Sequence, residues 1–204
     1  MSASDAFGLF GCGLASLAAA ATVIRLRRLP VRARYAVMLA AALAVFVPIG
    51  ELSIAAWVRG VTGDLSTATL VLAGAACFTQ VTGRALIEPR DKRALCGLLA
   101  LAAAFLYPFA LGWTQFDPYA LGFGSVEFIT ALLLITLAAW AARLNLIVLV
   151  VIVAGLAFLA GAYESRNLWD TLIDPLVSFY ALAWLLAGVR RRPSNGLACP
   201  TASV

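Results

Sequence analysis

The fold is indicated most clearly by residues 126–163, which are VEFITALLLITLAAWAARLNLIVLVVIVAGLAFLAGAY. After Glu127 this stretch carries a single charged residue, Arg143, and it is too long for one membrane-crossing helix, which needs about 20 apolar residues. A tight turn through Arg143-Leu144-Asn145 divides it into two helices of suitable length. The stretch therefore predicts two antiparallel transmembrane helices, Val126–Ala142 and Leu144–Tyr163.

Five further apolar stretches occur along the 204 residues. The chain is 63% hydrophobic and 12% charged, with a mean hydropathy of +0.97, whereas soluble domains contain roughly 25% charged residues. On composition, a water-soluble fold is excluded. We predict an all-α, polytopic integral membrane helical bundle of about seven transmembrane helices, forming one domain over residues 1–192. The other five predicted spans are Phe7–Ile24, Tyr35–Val58, Leu65–Val81, Leu95–Trp113 and Pro175–Val189.

The basic residues are sorted between the gaps that separate these spans. Thirteen of the fifteen Lys and Arg residues fall in alternate gaps and in the C-terminal tail, which leaves Arg59 and Arg166 on the other side. Because cytoplasmic loops of membrane proteins keep Lys and Arg, the N-terminus is predicted to lie outside. The C-terminus, with a flexible tail over residues 193–204, is predicted to be cytoplasmic. Abundant Arg and Ala suggest a bacterial protein of the cell inner (cytoplasmic) membrane.

The first span is expected to be a retained helix and not a secretory signal. Its leading segment, Met1 to Ala6, contains Asp5 and no Lys or Arg, while the basic cluster follows the apolar run. A secretory signal has the opposite charge order. The span also carries Gly11, Ala15 and Ala19 at four-residue spacing, which predicts a face for close helix packing.

Several carboxylates in the outer gaps are better explained by helix capping than by ligand binding. Asp64 directly precedes the third span, and Asp117 and Asp174 each precede a proline, which is a common pattern at helix starts. Ser125 is predicted to cap the fifth span, which places Glu127 in a first turn, where the helix dipole favours an anion. We therefore predict structural roles for these residues.

Glu51 is not explained by capping. It lies within the predicted second span, eight residues before Arg59. Pro48 and Gly50 precede it, and since proline removes a backbone donor we predict a kinked helix here. An ionisable residue at membrane depth is costly and suggests a function, but a hydrogen-bonded glutamate can equally hold helices together. The sequence leaves both roles open.

A second polar group precedes the last span and consists of Glu164, Arg166, Asn167 and Asp170. One arrangement is a short amphipathic helix at the outer interface, with Trp169 in the aromatic belt and Asp174 as a cap. The other is one long helix, Leu168 to Val189, kinked at Pro175. We favour the first. An ion pair between Arg166 and Asp170, at four-residue spacing, would explain both charges. With Glu51 and Arg59, these four residues form the predicted functional polar cluster.

The chain lacks residues that several kinds of catalysis and cofactor binding require. The chain has no His, which excludes imidazole haem ligation, histidine-based zinc hydrolysis and a Ser-His triad. Its one lysine, Lys92, lies in an inner gap, so the last span cannot carry a retinal Schiff base. The four cysteines show no CxxC spacing, and neither a P-loop nor a GxGxxG pattern occurs. We expect no cofactor, no metal and no nucleic-acid partner.

Three functions fit these observations. The favoured one is an accessory or assembly subunit that recognises a partner protein or a lipid-linked substrate at the outer (periplasmic) leaflet. An alternative is a small transporter or channel component in which Glu51 binds a cation or a proton. The third is an intramembrane enzyme that acts on a lipid or glycan through carboxylates. Its candidate acid–base pair is Glu51 with Glu164 or Asp170, and no catalytic residue is assigned. The expected partners are the lipid bilayer and either another protein or a second copy of this chain.

Overall fold

The computed structural model describes residues 2–112 and 116–190, and most of this length is helical. The helices are connected in part by two 3-10 turns, Leu26–Arg28 and Pro118–Phe123. Another connection is a short antiparallel hairpin of β1 (Pro48–Ile49) and β2 (Leu52–Ser53). The all-α class is confirmed. The helices are α1 (Ala3–Val23), α2 (Val31–Phe46), α3 (Ile54–Thr62), α4 (Thr67–Thr82), α5 (Pro89–Ala110), α6 (Val126–Ala141), α7 (Asn145–Leu159), α8 (Leu168–Leu172) and α9 (Pro175–Arg190).

Two of the described helices are long and apolar enough to cross a membrane. They are Ala3–Val23 and Pro89–Phe109, each of 21 residues, with mean hydropathies of 1.8 and 1.4. The apolar helices α4, α6, α7 and α9 are shorter, and 16 residues of α-helix extend only about 24 Å. These two helices are compatible with membrane association, while the seven-span topology stays a prediction. The predicted tail, residues 193–204, lies outside the described residues.

The predicted second span, Tyr35–Val58, is not a single kinked helix. Helix α2 ends at Phe46, and the chain then forms the β1–β2 hairpin before α3 begins. Gly50 and Glu51 form the two-residue turn, and Gly50 has a φ of 78°, which fits a glycine at the first central position of a type II′ turn. Since Pro48 has no N–H to donate, the helix stops before it. The predicted kink at Pro48 and Gly50 was wrong.

The turn between α6 and α7 lies where it was predicted. Arg143 has a φ of 57°, and its N–H donates to the carbonyl of Trp140 at 2.9 Å. Helix α7 starts at Asn145, so the division of this apolar stretch is confirmed. The helix ends at Leu159, however, and not at Tyr163 as predicted, because the chain turns at Gly161, which has a φ of 63°.

Helix α4 lies between two groups of packed helices. On one side α1 packs against α2, α3 and α4, and a small core forms around Leu17, Val45 and Ala55. On the other side α5 packs against α9 and α7, and the larger core includes Leu99 and Val150. This arrangement brings the start of α1, the end of α3 and the starts of α4 and α9 to the same end of the bundle.

Glycines allow helix α1 to approach its neighbours closely. A Cβ at Gly11 would lie 2.9 Å from the Leu70 side chain, and a Cβ at Gly13 would lie 2.5 Å from the Phe46 ring. The predicted packing face of Gly11, Ala15 and Ala19 is therefore used only in part. Gly11 is buried, whereas Ala19 is exposed and borders an open groove.

Candidate functional site

Arg59 is the centre of an ion cluster, here called the Arg59 cluster, that also contains Asp5, Asp64 and Glu164. Its Nε donates to Asp64 Oδ1 at 2.7 Å, its Nη1 to Asp5 Oδ1 at 3.1 Å and its Nη2 to Glu164 Oε1 at 2.7 Å. The Arg59 side chain is 19% exposed and that of Glu164 is 61% exposed. These are the only ion pairs among the side chains that the structure describes. Two predicted site residues, Arg59 and Glu164, are thus brought together.

Helix ends hold the cluster in place. Arg59 lies in the last turn of α3, and Asp5 lies in the first turn of α1. Ser2 caps α1 through a reciprocal pair of hydrogen bonds: its Oγ accepts from the Asp5 N–H at 3.0 Å, and its N–H donates to Asp5 Oδ2 at 2.9 Å. The Asp5 carboxylate is therefore oriented by its own helix before Arg59 binds it.

Helix α1 can reach the cluster only because residue 8 is glycine. A Cβ at Gly8 would overlap Asp64 Oδ1 and would lie 2.5 Å from Arg59 Nε. The hydrogen bond between Arg59 and Asp64 thus lies directly against the α1 backbone. Any side chain at this position must displace one of the two partners.

Asp64 does not cap α4, contrary to the prediction. The N-cap is Ser66, and Asp64 lies two residues earlier, where Arg59 binds its carboxylate. The other capping predictions are confirmed: Asp117 caps the 3-10 turn Pro118–Phe123, and Ser125 caps α6. Local capping patterns did not distinguish Asp64 from these residues because its partner comes from another helix.

Asp174 is a buried carboxylate that joins the starts of two helices. Its Oδ1 accepts from the Val177 N–H at 2.8 Å, which confirms the predicted cap of α9. Its Oδ2 accepts from the Ser66 N–H at 2.8 Å and from Thr69 Oγ1 at 2.5 Å, both at the start of α4. With only 6% of the residue exposed, Asp174 holds α4 and α9 together at the site.

Asp170 does not pair with Arg166, so that prediction was wrong. Its Oδ2 accepts from Ser165 Oγ at 2.5 Å and from the Tyr119 hydroxyl at 2.8 Å. Arg166 is exposed and forms no ion pair among the described side chains. It precedes Asn167, the N-cap of α8, and therefore does not share a helix face with Asp170. Burial and then the hydrogen bond to Asp170 raise the pKa of Tyr119.

Asn167 has a structural role. It is fully buried, its Oδ1 accepts from the Trp169 N–H at 2.9 Å, and its Nδ2 donates to the Tyr119 carbonyl at 2.9 Å. A Cβ at Gly122 would overlap its amide. The segment forms the separate short helix α8, as favoured, but Trp169 is 8% exposed and does not belong to an interfacial belt. Its indole instead donates to the carbonyl of Pro118 at 3.0 Å.

Glu51 lies apart from these residues. It is exposed at the turn of the β1–β2 hairpin and forms no ion pair among the described side chains. The prediction that it lies inside a helix was wrong, because the helix stops before Pro48 and Gly50 forms the turn of the hairpin. Of the six residues in the predicted polar cluster, Glu51 and Arg166 are thus not part of the hydrogen-bonded site.

Two cavities open beside the Arg59 cluster and share Gly63, Asp64 and Glu164 among their lining residues. Their volumes are about 530 Å³ and about 510 Å³, within the range of about 300–1,000 Å³ that is usual for ligand sites. Five carboxylates and one guanidinium line the two cavities together, so the combined lining has an excess of negative charge. Among the described residues, no group of three or more His, Cys, Asp or Glu side chains is arranged to hold a metal ion. The charged residues of the lining are Arg59, Asp5, Asp64, Glu164, Asp170 and Asp174.

Sequence reasoning missed two members of the site, Asp5 and Tyr119. Asp5 had a usable signal, since Ser2 followed three residues later by an acidic residue is a capping pattern that marks a helix start. Tyr119 had none, because its partner Asp170 lies 51 residues away in sequence.

No protein-family model, curated protein or solved structure matches this chain.

Proposed function

We propose that this protein is a multi-pass protein of the inner membrane that acts as an accessory or assembly subunit. In this proposal the chain crosses the bilayer seven times, with its N-terminus outside and its C-terminus in the cytoplasm. The Arg59 cluster then lies at the outer leaflet, where it recognises a partner protein. The alternation of basic gaps along the sequence supports this orientation.

Exposed apolar side chains support crossings by the shorter helices. Soluble proteins rarely expose contiguous apolar patches larger than a few hundred Å². Hydrocarbon is the environment in which such surfaces are stable, and a bilayer can thin locally around a short helix at modest cost. The exposed side chains include Leu133, Leu134 and Leu137 on α6, Leu149, Ile152 and Leu156 on α7, and Phe179, Leu182 and Leu186 on α9.

The observation that carries the recognition proposal is that Arg59 holds three carboxylates beside two open, acidic cavities. Glu164 is the most exposed of the three, and a carboxylate can accept further hydrogen bonds besides those from one arginine. Three hydrogen bonds thus fix the position of Arg59, while Glu164 is accessible. A partner that presents Lys or Arg close to the outer surface of the membrane matches this excess of negative charge.

Extraction in mild detergent, followed by mass-spectrometric identification of co-purifying proteins, tests this proposal. We expect a stoichiometric partner with the wild type and its loss with Glu164→Gln. Glu51→Gln is the matched control, because it removes the same charge from an exposed glutamate outside the cluster. The proposal is contradicted if the wild type retains no partner, or if the purified chain alone supports solute flux in liposomes.

Cysteine labelling tests the orientation separately. Cys199 should react with a membrane-impermeant maleimide only from the cytoplasmic side, while an Arg166→Cys variant should react in intact cells. Cys12 and Cys96 are fully buried and suit this experiment as silent thiols, and Cys77→Ala removes the half-buried one. Labelling of Cys199 from outside intact cells would overturn the topology.

The two other functions depend on different residues. A transporter or channel component would use Glu51. That role was suggested by its predicted place inside a kinked helix, whereas Glu51 lies at an exposed hairpin turn. A carboxylate enzyme acting on a lipid or glycan would use Glu164 and Asp170, which line the same cavity. Loss of an activity that needs no partner in folded Glu164→Gln and Asp170→Asn variants would favour the enzyme.

A further inference from the structure

A further opening, here called the α1–α9 groove, lies on the side of the bundle between α1 and α9, with α4 as its floor. Its volume is about 590 Å³, and its lining is mainly apolar. Small side chains of α1 and α4 leave this space open, among them Ala15, Ala19 and Ala76. Leu176 and Tyr180 of α9 form the opposite wall.

Lys92 borders this apolar groove with its charged amine. The Nζ atom lies 5.4 Å from the centroid of the Tyr180 ring and 5.5 Å from that of Trp184, which is within reach of a cation–π interaction. Lys92 is half-buried and pairs with no carboxylate among the described side chains. The two aromatic rings do not neutralise the ammonium group. Its N–H donors can therefore still bind an anion.

A smaller cavity of about 250 Å³ adjoins the groove and shares Lys92 and Tyr180 with it. Gln80 lines this cavity, and its Oε1 is a buried acceptor without a hydrogen-bond partner in the described part of the chain. This oxygen is closed to solvent, and the amide nitrogen of Gln80 donates to Thr22 Oγ1 of α1 at 3.5 Å. The polar end of the groove is thus marked by Lys92, which pairs with no carboxylate among the described side chains.

We propose that the α1–α9 groove binds one anionic phospholipid. An acyl chain lies along the alanines of α1 and α4, and the phosphate pairs with Lys92. An apolar helix in the groove would bury the Lys92 charge without a counter-ion, which is costly. This site does not depend on the Arg59 cluster or on its partner.

Native mass spectrometry of the full chain tests the lipid site, with phosphatidylglycerol and phosphatidylcholine added in equal amounts to the delipidated protein. We expect the wild type to retain phosphatidylglycerol preferentially. Lys92→Gln should lower that retention about fivefold, the effect of one lysine near a charged headgroup, and leave phosphatidylcholine unchanged. Arg93→Gln is the matched control, because it removes a charge from the same helical turn at an exposed residue outside the groove.

Filling the groove gives an independent measurement. Ala19→Phe should reduce the binding of both lipids, and since Ala19 is exposed the substitution should not disturb folding, which the melting temperature checks. The proposal is overturned if Lys92→Gln and Arg93→Gln behave alike, or if the wild type shows no preference for phosphatidylglycerol. It is also overturned if the wild type gives a dimer or a complex that Ala19→Phe abolishes, because the groove would then hold protein.

Discussion

Arg59 Nη2 donates to Glu164 Oε1 at 2.7 Å across a sequence separation of 105 residues. The contact joins the end of α3, in the smaller group of helices, to the loop between α7 and α8, in the larger group. The cluster therefore links the two packed halves of the bundle at one end. Substitutions of its residues should therefore affect both the stability of the fold and the binding of a partner. Different residues of the cluster separate the two effects.

Arg59→Gln should destabilise the protein more than Glu164→Gln. Removing Arg59 leaves three carboxylates without their cation, whereas removing Glu164 breaks only its most exposed pair, of a kind that contributes about 0–1 kcal/mol. Melting temperatures in detergent measure this, at about 2–4 °C per kcal/mol for a chain of this size. Arg166→Gln is the control and should have no effect. Equal effects of Arg59→Gln and Arg166→Gln would show that the cluster does not stabilise the fold.

Gly8→Ala should weaken the contact between Arg59 and Asp64, because the added Cβ overlaps the Asp64 carboxylate. Gly60→Ala is the matched control, at a helical glycine that lines the cavity beside the Arg59 cluster. Its Cβ would have no atom within 4 Å, and alanine is favoured over glycine in a helix by about 0.5–1 kcal/mol. We expect a lower melting temperature for Gly8→Ala and an unchanged or higher one for Gly60→Ala. The opposite order would contradict the described approach of α1.

Asp174→Asn should be strongly destabilising. The carboxylate accepts from the Ser66 N–H, from Thr69 and from the Val177 N–H, and an amide group has only one oxygen to replace two. A buried donor left without an acceptor costs about 1–3 kcal/mol. Asp117→Asn is the control, because Asn also caps well at this exposed position. Thermal unfolding of both variants tests this, and a small effect of Asp174→Asn would mean that α4 and α9 are held together by other contacts.

Glu51→Gln and Gly50→Ala should differ in their effect on the melting temperature, although the two residues are neighbours. Glu51 is exposed and unpaired among the described side chains, so its neutralisation should leave both stability and function unchanged. Gly50 has a φ of 78°, where an alanine costs about 1–2 kcal/mol. The melting temperature should fall only for Gly50→Ala. Loss of function in a folded Glu51→Gln variant would instead revive the transporter alternative.

Tyr119→Phe should alter the dependence of stability on alkaline pH. Burial and the hydrogen bond to Asp170 raise the pKa of Tyr119 above its ordinary value of 10.0. A raised pKa means that protonated Tyr119 stabilises the fold; this contribution is complete below pH 10.0 and is lost as the pH rises through the folded-state pKa.

The difference in melting temperature between the wild type and Tyr119→Phe should therefore shrink above pH 10.0. Tyr35→Phe, at a tyrosine that is 54% exposed, serves as the control for general alkaline destabilisation. A difference that stays constant with pH would show that the Tyr119 hydroxyl does not ionise in this range.

The features that the sequence predicted correctly depend on short-range chemistry. The turn at Arg143 follows from the length of the apolar stretch, and the caps at Ser125 and Asp174 follow from side chains that accept from N–H groups of their own helix. The predictions for Asp64 and for the Arg166–Asp170 pair failed, because other partners compete for these side chains. Those partners, Arg59 and Tyr119, belong to other elements.

By itself, then, the sequence determined the helical class, the position of the α6–α7 turn and several helix starts, since the length of apolar stretches and helix capping can be read from residues that are close in sequence. Only the tertiary structure decided which polar side chains meet. Arg59 binds Asp5 and Glu164 across 54 and 105 residues, and that meeting depends on how α3 packs against α1 and how α1 and α7 pack against α4. Helix packing is set by the fit of many side chains at once, which no local pattern records.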